Sequence, residues 1–205
     1  MKKSRLQILN NSTIRIFDIF FAIFFLFFFS PLFLFSIIAI KIFSSGPIFF
    51  KQFRYGQNFK QIQIIKFRTM KPGSEKFETE KIALLKEPNI QTKNDERITW
   101  IGKFLRRFSI DELPQFWLVL KGEMSIVGPR PLIDVEIKKI DQKYQDRYRV
   151  LPGVTGLAQV SGRAKLTTKQ ALEYDLEWVK KYSLKLYFKI LGKTFYVVFL
   201  PKQTY

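Results

Sequence analysis

Residues 19–40 carry no charged side chain and consist mostly of Phe, Ile and Leu, with Ser30-Pro31 in the middle of the run. That length can cross a bilayer as one straight helix. Nearly every face is apolar, which argues against the one-sided helix of a soluble core. The run is too long for a signal peptide, and no small-x-small cleavage site follows it. Two features oppose a simple span. Pro31 deletes a helical hydrogen bond and kinks or breaks the helix. Basic residues also flank both ends, with Lys2, Lys3, Arg5 and Arg15 before the run and Lys41, Lys51 and Arg54 after it. By the positive-inside rule both ends prefer the cytoplasmic side. A helix-break-helix that enters and leaves through one leaflet satisfies both observations, and the alternative is a kinked single-span anchor.

The chain has no His and no Cys, which excludes imidazole bases, thiolate nucleophiles and zinc-finger sites. Demanding chemistry must come from carboxylates, hydroxyls, Lys or Arg, with or without an oxygen-loving metal. The formal charge of +18 over 205 residues implies anionic partners, whether nucleic acid, acidic membrane or phosphorylated substrates.

One adjacent carboxylate pair stands out, Asp111-Glu112, within Ser109-Ile110-Asp111-Glu112-Leu113-Pro114-Gln115. Leu113, Phe116, Trp117 and Leu120 follow helical spacing. The pair is therefore expected at a helix start. Ser109 and Glu112 read as a capping box, although that register puts Pro114 at the fifth helical position. With Asp111 as the cap, Pro114 falls in the tolerated first turn. In either register the carboxylates lie at the positive end of a helix, where anions are held. The plainer alternative is that both merely cap the helix.

The same segment, with the continuous run from Val119 through Gly128-Pro129-Arg130-Pro131, resembles the signature block of the bacterial sugar transferases. These are the monotopic polyprenyl-phosphate phosphoglycosyl transferases that begin surface-glycan assembly. The resemblance implies a re-entrant membrane hairpin with Ser30 and Pro31 at the bend. It also implies transfer of a phospho-sugar from a UDP-sugar to polyprenyl phosphate with release of UMP. Asp111 becomes the nucleophile, forming a covalent aspartyl intermediate, and Glu112 the ligand of a Mg²⁺ cofactor. Arg106 and Arg130 match basic positions of the motif. Lys66-Phe67-Arg68-Thr69-Met70 resembles a further element in which Lys66 and Arg68 face substrate phosphates; from the residues alone, both read as a solvated strand edge. A turn-rich stretch beginning at Pro152-Gly153 also resembles the family and offers Arg163 as a second phosphate-binding residue. Leu118 stands where the family usually has Asn, Leu157 where Trp is frequent, and Tyr187 where Asp is usual. The first two are expected to tune packing; Tyr187 marks the C-terminal part as the place where the pattern departs.

The expected architecture is α+β and mostly helical, divided into a membrane-embedded part over 1–47 and a cytosolic catalytic part over 48–205. A β-hairpin is expected from Ile48 to Phe67, turning at Tyr55-Gly56-Gln57-Asn58. Residues 72–96 read as a loop with a little helix. The spacing of Ile98, Ile101, Leu105 and Phe108 predicts an amphipathic helix, and 134–149 is expected to be a charged surface helix. Leu172, Leu176 and Val179 form another helical stripe. After Ser183, Lys185, Lys189 and Lys193 share one face of an apolar helix. That pattern suits a helix in the interface of an anionic bilayer, or a core helix with snorkelling lysines; the family resemblance favours the interface.

The expected setting is the cytoplasmic face of a bacterial inner membrane, with anionic lipids as partners and a homodimer left open. Two other classes compete. A non-catalytic membrane scaffold of the same fold would have lost the site, yet Asp111, Glu112, Arg130 and Arg163 are present. A membrane-tethered nucleic-acid binder rests on charge alone, and no recognition motif accompanies it, so no nucleic-acid partner is expected.

Overall fold

A computed structural model of the chain describes residues 11–74, 95–162 and 165–199. The loop expected at 72–96 lies almost wholly outside these residues. In chain order the elements are α1 (Ser12–Phe28), α2 (Ser30–Phe43), β1 (Phe49–Tyr55), β2 (Gln61–Phe67), α3 (Trp100–Arg107), α4 (Phe116–Lys121), β3 (Ser125–Val127), α5 (Asp134–Ile137), β4 (Gly153–Thr155), α6 (Leu157–Ser161), α7 (Thr168–Lys180) and α8 (Leu184–Phe199). Short 3₁₀ segments occupy Gln57–Phe59, Ile110–Gln115 and Gln142–Arg149. The fold is mostly helical, as expected, and the described residues form two small sheets where one hairpin was expected.

The break falls where Ser30-Pro31 places it. α1 and α2 meet at an angle of 59°. Pro31 has no N–H to offer the Phe27 carbonyl four residues back; instead the Ser30 hydroxyl donates to that carbonyl at 2.7 Å. A backbone N–H at the end of α1 reaches the same carbonyl, so the hydroxyl adds a second bond to a group that an apolar medium requires to be paired. Among the described residues no single helix is long and apolar enough to cross a membrane, but the bent pair passes by length and composition. Its outer face is apolar: Phe20, Phe24, Phe27, Phe28, Phe35 and Ile42 are all exposed, Phe27 to 82%. A patch of that kind marks a surface meant for something other than water. The bend is consistent with the expected re-entrant helix.

Each half of the pair sits on its own hydrophobic core. Ile14, Ala22 and Phe25 of α1 pack with Ile62 and Ile64 of β2, Phe116, Ile126, Trp178 and Ile190. Ala39 and Ile40 of α2 pack with Phe67, Ile101, Leu105 and Ile110. Both cores therefore draw on residues from either side of position 47.

β1 and β2 form the expected antiparallel hairpin, registered Phe49↔Phe67 and Phe50↔Lys66. Phe67 meets the ring of Phe33 on α2 at 4.8 Å. α3 agrees with its predicted stripe, burying Ile101 and Leu105 and exposing Trp100 and Phe104. α8 has one face in the core and its lysines outside it. Tyr187, Ile190 and Leu191 are in the core, while Lys185, Lys189 and Lys193 are exposed beside Phe188 and Tyr196.

Two expectations need correction. Residues 134–149 are not one surface helix. α5 ends at Ile137, and the 3₁₀ segment Gln142–Arg149 buries Tyr144, Arg147 and Tyr148, because Arg147 finds an acidic partner inside. The Gly-rich turns around Gly128 and Gly153 are also more than turns. They flank a parallel pairing of β3 with β4, registered Ser125↔Gly153 and Val127↔Thr155. Backbone here approaches backbone so closely that a Cβ on Gly153 would lie 2.0 Å from the Gly128 nitrogen, and one on Gly156 2.2 Å from the Gly128 oxygen. Sterics, not dihedral freedom, require these glycines.

Gly153→Ala is accordingly expected to destabilise the fold by about 1–3 kcal/mol or more, since backbone must move to relieve the clash. Gly192→Ala is the contrast. It lies inside α8 with nothing within 4 Å of its added methyl, and should stabilise by up to about 1 kcal/mol. Thermal unfolding of both variants in the same detergent reads the difference.

Candidate active site

The carboxylate segment bridges the two cores. Ile110 is buried in the α2 core and Phe116 in the α1 core, and Leu113 packs against both. Phe116 meets Phe25 of α1 with ring centroids 5.1 Å apart. The segment between these anchors is not the capped helix start that the motif suggests. Ser109 adopts a left-handed conformation (φ 55°, ψ 24°) and its side chain makes no cap hydrogen bond. Its N–H bonds the Arg106 carbonyl, and Glu112 reaches away to Lys66. Neither Ser109 nor Asp111 is a cap. Pro114 lies inside the tight 3₁₀ turn that results, and α4 begins only after it. The turn carries Asp111 inward and Glu112 to the rim.

Asp111 is 9% exposed. Burial pushes its carboxyl up to about 6, a rise that Lys66 and Arg106 oppose and the neighbouring Glu112 carboxylate reinforces. The group is thus poorly hydrated yet still ionised at neutral pH, a favourable state for an oxygen nucleophile. Lys66, on β2, donates to Glu112 Oε1 at 2.5 Å. Arg106 is oriented by a bond from its Nε to the Thr69 hydroxyl at 2.8 Å. Asp111, Glu112, Lys66, Arg106 and Arg130 all line one cavity of about 1080 Å³. Its wall also includes Phe25, Phe29 and Leu32, at the break of the apolar helix pair. The structure therefore brings these five predicted polar residues together.

The other two predicted basic residues stand differently. Arg68 lines the same cavity, but it is 4% exposed and its guanidinium donates to the Ser44 carbonyl and hydroxyl, clasping the end of α2 to β2. Arg163 lies outside the described residues.

The Gly128-Pro129-Arg130-Pro131 turn is held by its carbonyls, since its two prolines have no N–H to use. Pro129 O accepts from the Gly153 N–H at 3.0 Å and Arg130 O from Arg147 at 2.6 Å. Pro131 O accepts from Arg54 at 3.0 Å and Leu132 O from the Tyr55 N–H at 2.8 Å. Four successive carbonyls are bonded, and the exposed Arg130 side chain projects from a fixed backbone. Arg147 is in turn paired with buried Asp175 at 2.6 Å. Sequence reasoning missed Arg54, Arg147 and Asp175. The spacing of Tyr144 and Tyr148 around Arg147 was the available signal for a buried face.

The bacterial sugar transferase family matches residues 9–201, nearly the whole chain. The chain belongs to that family. Among its relatives is the UDP-glucose:undecaprenyl-phosphate glucose-1-phosphate transferase of Klebsiella pneumoniae, 40% identical over 185 residues, which cover 86% of this chain and 38% of that protein. The exopolysaccharide production protein ExoY of Sinorhizobium fredii is 36% identical over 197 residues, covering 93% of this chain and 87% of ExoY. The galactosyl transferase CpsE of Streptococcus agalactiae is 39% identical over 158 residues, or 76% of this chain and 35% of CpsE. The chain thus spans little more than a third of the length of the glucose-1-phosphate transferase it matches.

Of the three departures from the family pattern, Leu118 is buried in the α1 core and Leu157 packs against it, consistent with a packing role. Tyr187 is fully buried and donates to Asp18 on α1 at 2.9 Å. Among the described residues no three acidic side chains cluster as a metal site. The donor set nevertheless fits Mg²⁺ of the substrate-bridging kind, which takes one or two carboxylates and completes its shell with phosphate oxygens and water. Glu112, at the cavity rim beside Asp111 and paired with Lys66, has the carboxylate that such an ion would take.

Asp175→Ala is expected to cost about 3–5 kcal/mol, because it strands the Arg147 charge in the interior. Arg130→Ala, at an exposed side chain, should cost within about 0.5 kcal/mol. Chemical or thermal unfolding of the two variants checks the contrast.

Proposed function

We propose that this family member is a phosphoglycosyl transferase that moves a sugar 1-phosphate from a UDP-sugar to polyprenyl phosphate. The observation that carries this reading is the cavity. One space holds the buried Asp111 carboxylate with Lys66, Arg106 and Arg130 among its cationic side chains, and it reaches the break of an apolar helix pair. A doubly anionic donor needs the cations, and a lipid-linked acceptor needs the apolar wall.

In this reading Asp111 attacks the β-phosphorus of the donor. The Asp111 Oδ–P bond forms as the bond from that phosphorus to the bridging oxygen breaks, and UMP leaves with the electron pair. A phosphate oxygen of polyprenyl phosphate then attacks the same phosphorus. The products are polyprenyl-diphosphate-sugar and a regenerated Asp111 carboxylate. Splitting the transfer into two displacements lowers each barrier. Mg²⁺, held by Glu112 and the donor phosphates, would supply charge neutralisation at the diphosphate. Lys66 orients Glu112. Arg106 and Arg130 face the phosphates from two sides, Arg130 with the planar fork suited to bidentate contact. Arg68, which lines the same cavity, is proposed to add to its positive wall, and Arg163 is proposed from its motif as a further phosphate-binding residue.

Residues 1–47 act as the membrane part and 48–205 as the catalytic part, with the site at the cytoplasmic face of the inner membrane. Anionic headgroups would meet the basic flanks and the lysines of α8. The names of the relatives point to glucose in one case and galactose in another, so the donor is best found with a panel.

Purified protein in nanodiscs, given UDP-sugars, polyprenyl phosphate and Mg²⁺, should release UMP with one preferred sugar and only when metal is present. Release with none of the donors would overturn the reading in favour of a scaffold. Asp111→Asn should lose turnover by about 10³-fold or more while still folding and binding membrane. Lys66→Met should lose about 10–100-fold. Near-normal turnover of Asp111→Asn would remove it as nucleophile.

A further inference from the structure

Asp18 is a carboxylate inside α1, 1% exposed, and no step of the proposed reaction uses it. Its Oδ1 accepts three hydrogen bonds: from the Ser125 hydroxyl at 3.0 Å, the Ile126 N–H at 2.9 Å and the Tyr187 hydroxyl at 2.9 Å. Three elements meet on this one oxygen: the membrane helix α1, the strand β3 and the helix α8. One turn earlier on α1, Arg15 donates to the carbonyls of Val119 at 2.6 Å and Leu120 at 2.9 Å. Those carbonyls lie at the C-terminal end of α4, where a cation is favoured.

The two contacts lead to the two halves of the site. α4 continues directly from Asp111 and Glu112. β3 ends at Val127 and runs directly into Gly128-Pro129-Arg130. A single stretch of α1, from Arg15 to Asp18, therefore holds the carboxylate segment with one residue and the strand that leads to Arg130 with the other. Burying a carboxylate is costly unless donors surround it. The arrangement is correspondingly specific: a shift of α1 breaks several charge-assisted bonds together.

We propose that the Asp18–Ser125–Tyr187 junction is a positioning device that sets Arg130 relative to Asp111, so that seating of the membrane hairpin is coupled to competence of the site. Tyr187 is a positioning residue, acting through Asp18 and β3, and touches no substrate. The proposal rests on the phosphoglycosyl transferase reading for its kinetic consequence but not for its structural one.

The test is a double-mutant cycle on kcat for UMP release, using Tyr187→Phe and Arg130→Ala in the full chain in nanodiscs. Tyr187→Phe keeps the ring and removes one bond to Asp18. It is expected to lower kcat about tenfold in the wild-type background, as a misplaced charge does. In the Arg130→Ala background the same change should cost less than about twofold, since the residue it positions is gone. A general loss of stability would reduce both backgrounds by the same factor, and that result, or an unchanged kcat, overturns the proposal. Should Tyr187→Phe fail to fold, Ser125→Ala removes a different donor from the same oxygen and takes its place. Amide hydrogen exchange provides a readout independent of turnover. Tyr187→Phe should speed exchange at Ile126 and Gly128 and leave the β1–β2 hairpin unchanged. Unaltered exchange at Ile126 and Gly128 sinks the idea even if the wild-type protein releases no UMP; faster exchange without wild-type turnover would fault the reaction assignment and leave the junction standing.

Discussion

Everything in this structure depends on a bend that keeps its hydrogen bonds. Pro31 stops α1 from continuing, and the Ser30 hydroxyl adds its bond to the Phe27 carbonyl, which a backbone N–H at the helix cap also reaches. A bare carbonyl in an apolar setting would work against the break, and this cover removes that cost. With it, α1 and α2 diverge by 59° and settle on separate cores. The segment carrying Asp111 is stretched between those cores, anchored by Ile110 in one and Phe116 in the other. Its tight 3₁₀ path and left-handed Ser109 are the local consequence. The position of the Asp111 carboxylate follows from how the apolar pair is folded.

The second half of the site obeys a different rule. Its two prolines offer no N–H, so apart from the Gly128 N–H, which bonds the Thr155 carbonyl, the turn is held through its carbonyls. Gly153, Arg147 and the adjacent Arg54 and Tyr55 supply the donors from three separate places in the chain. Glycines at 128, 153 and 156 let the backbones approach closely enough for this to happen. Asp175 keeps Arg147 in place. The result is an exposed guanidinium on a backbone with little freedom, the kind of preorganisation that favours phosphate binding at small entropic cost.

Much of this was legible in the residues. The apolar run with its Ser-Pro break, the hairpin from Ile48 to Phe67 and the stripe of α3 all carry strong local signals, and the structure agrees with each. The carboxylate pair was found from its motif, but its local conformation was not. Ser109 and Glu112 look like a capping box, and only the pull of two cores and the partner Lys66 make them something else. The parallel β3–β4 pairing was invisible because strands of three residues have no readable period. Residues 134–149 read as surface because their charges are dense; the burial of Arg147 depends on Asp175, which lies 28 residues further along the chain. Asp18 was passed over as the edge of an apolar run, and Tyr187 looked like a defect. They explain one another only when brought together in three dimensions.

The central claim is that Asp111 becomes covalently attached to a phospho-sugar. The most direct measurement is intact-protein and peptide mass spectrometry after incubation with the preferred UDP-sugar and Mg²⁺ in the absence of polyprenyl phosphate. The account predicts about one equivalent of UMP released per protein, with a sugar-phosphate adduct on the peptide that contains Asp111 and loss of that adduct when polyprenyl phosphate is added. An unmodified Asp111 peptide, with UMP appearing only once the acceptor is present, would contradict it and point to direct transfer between the two substrates.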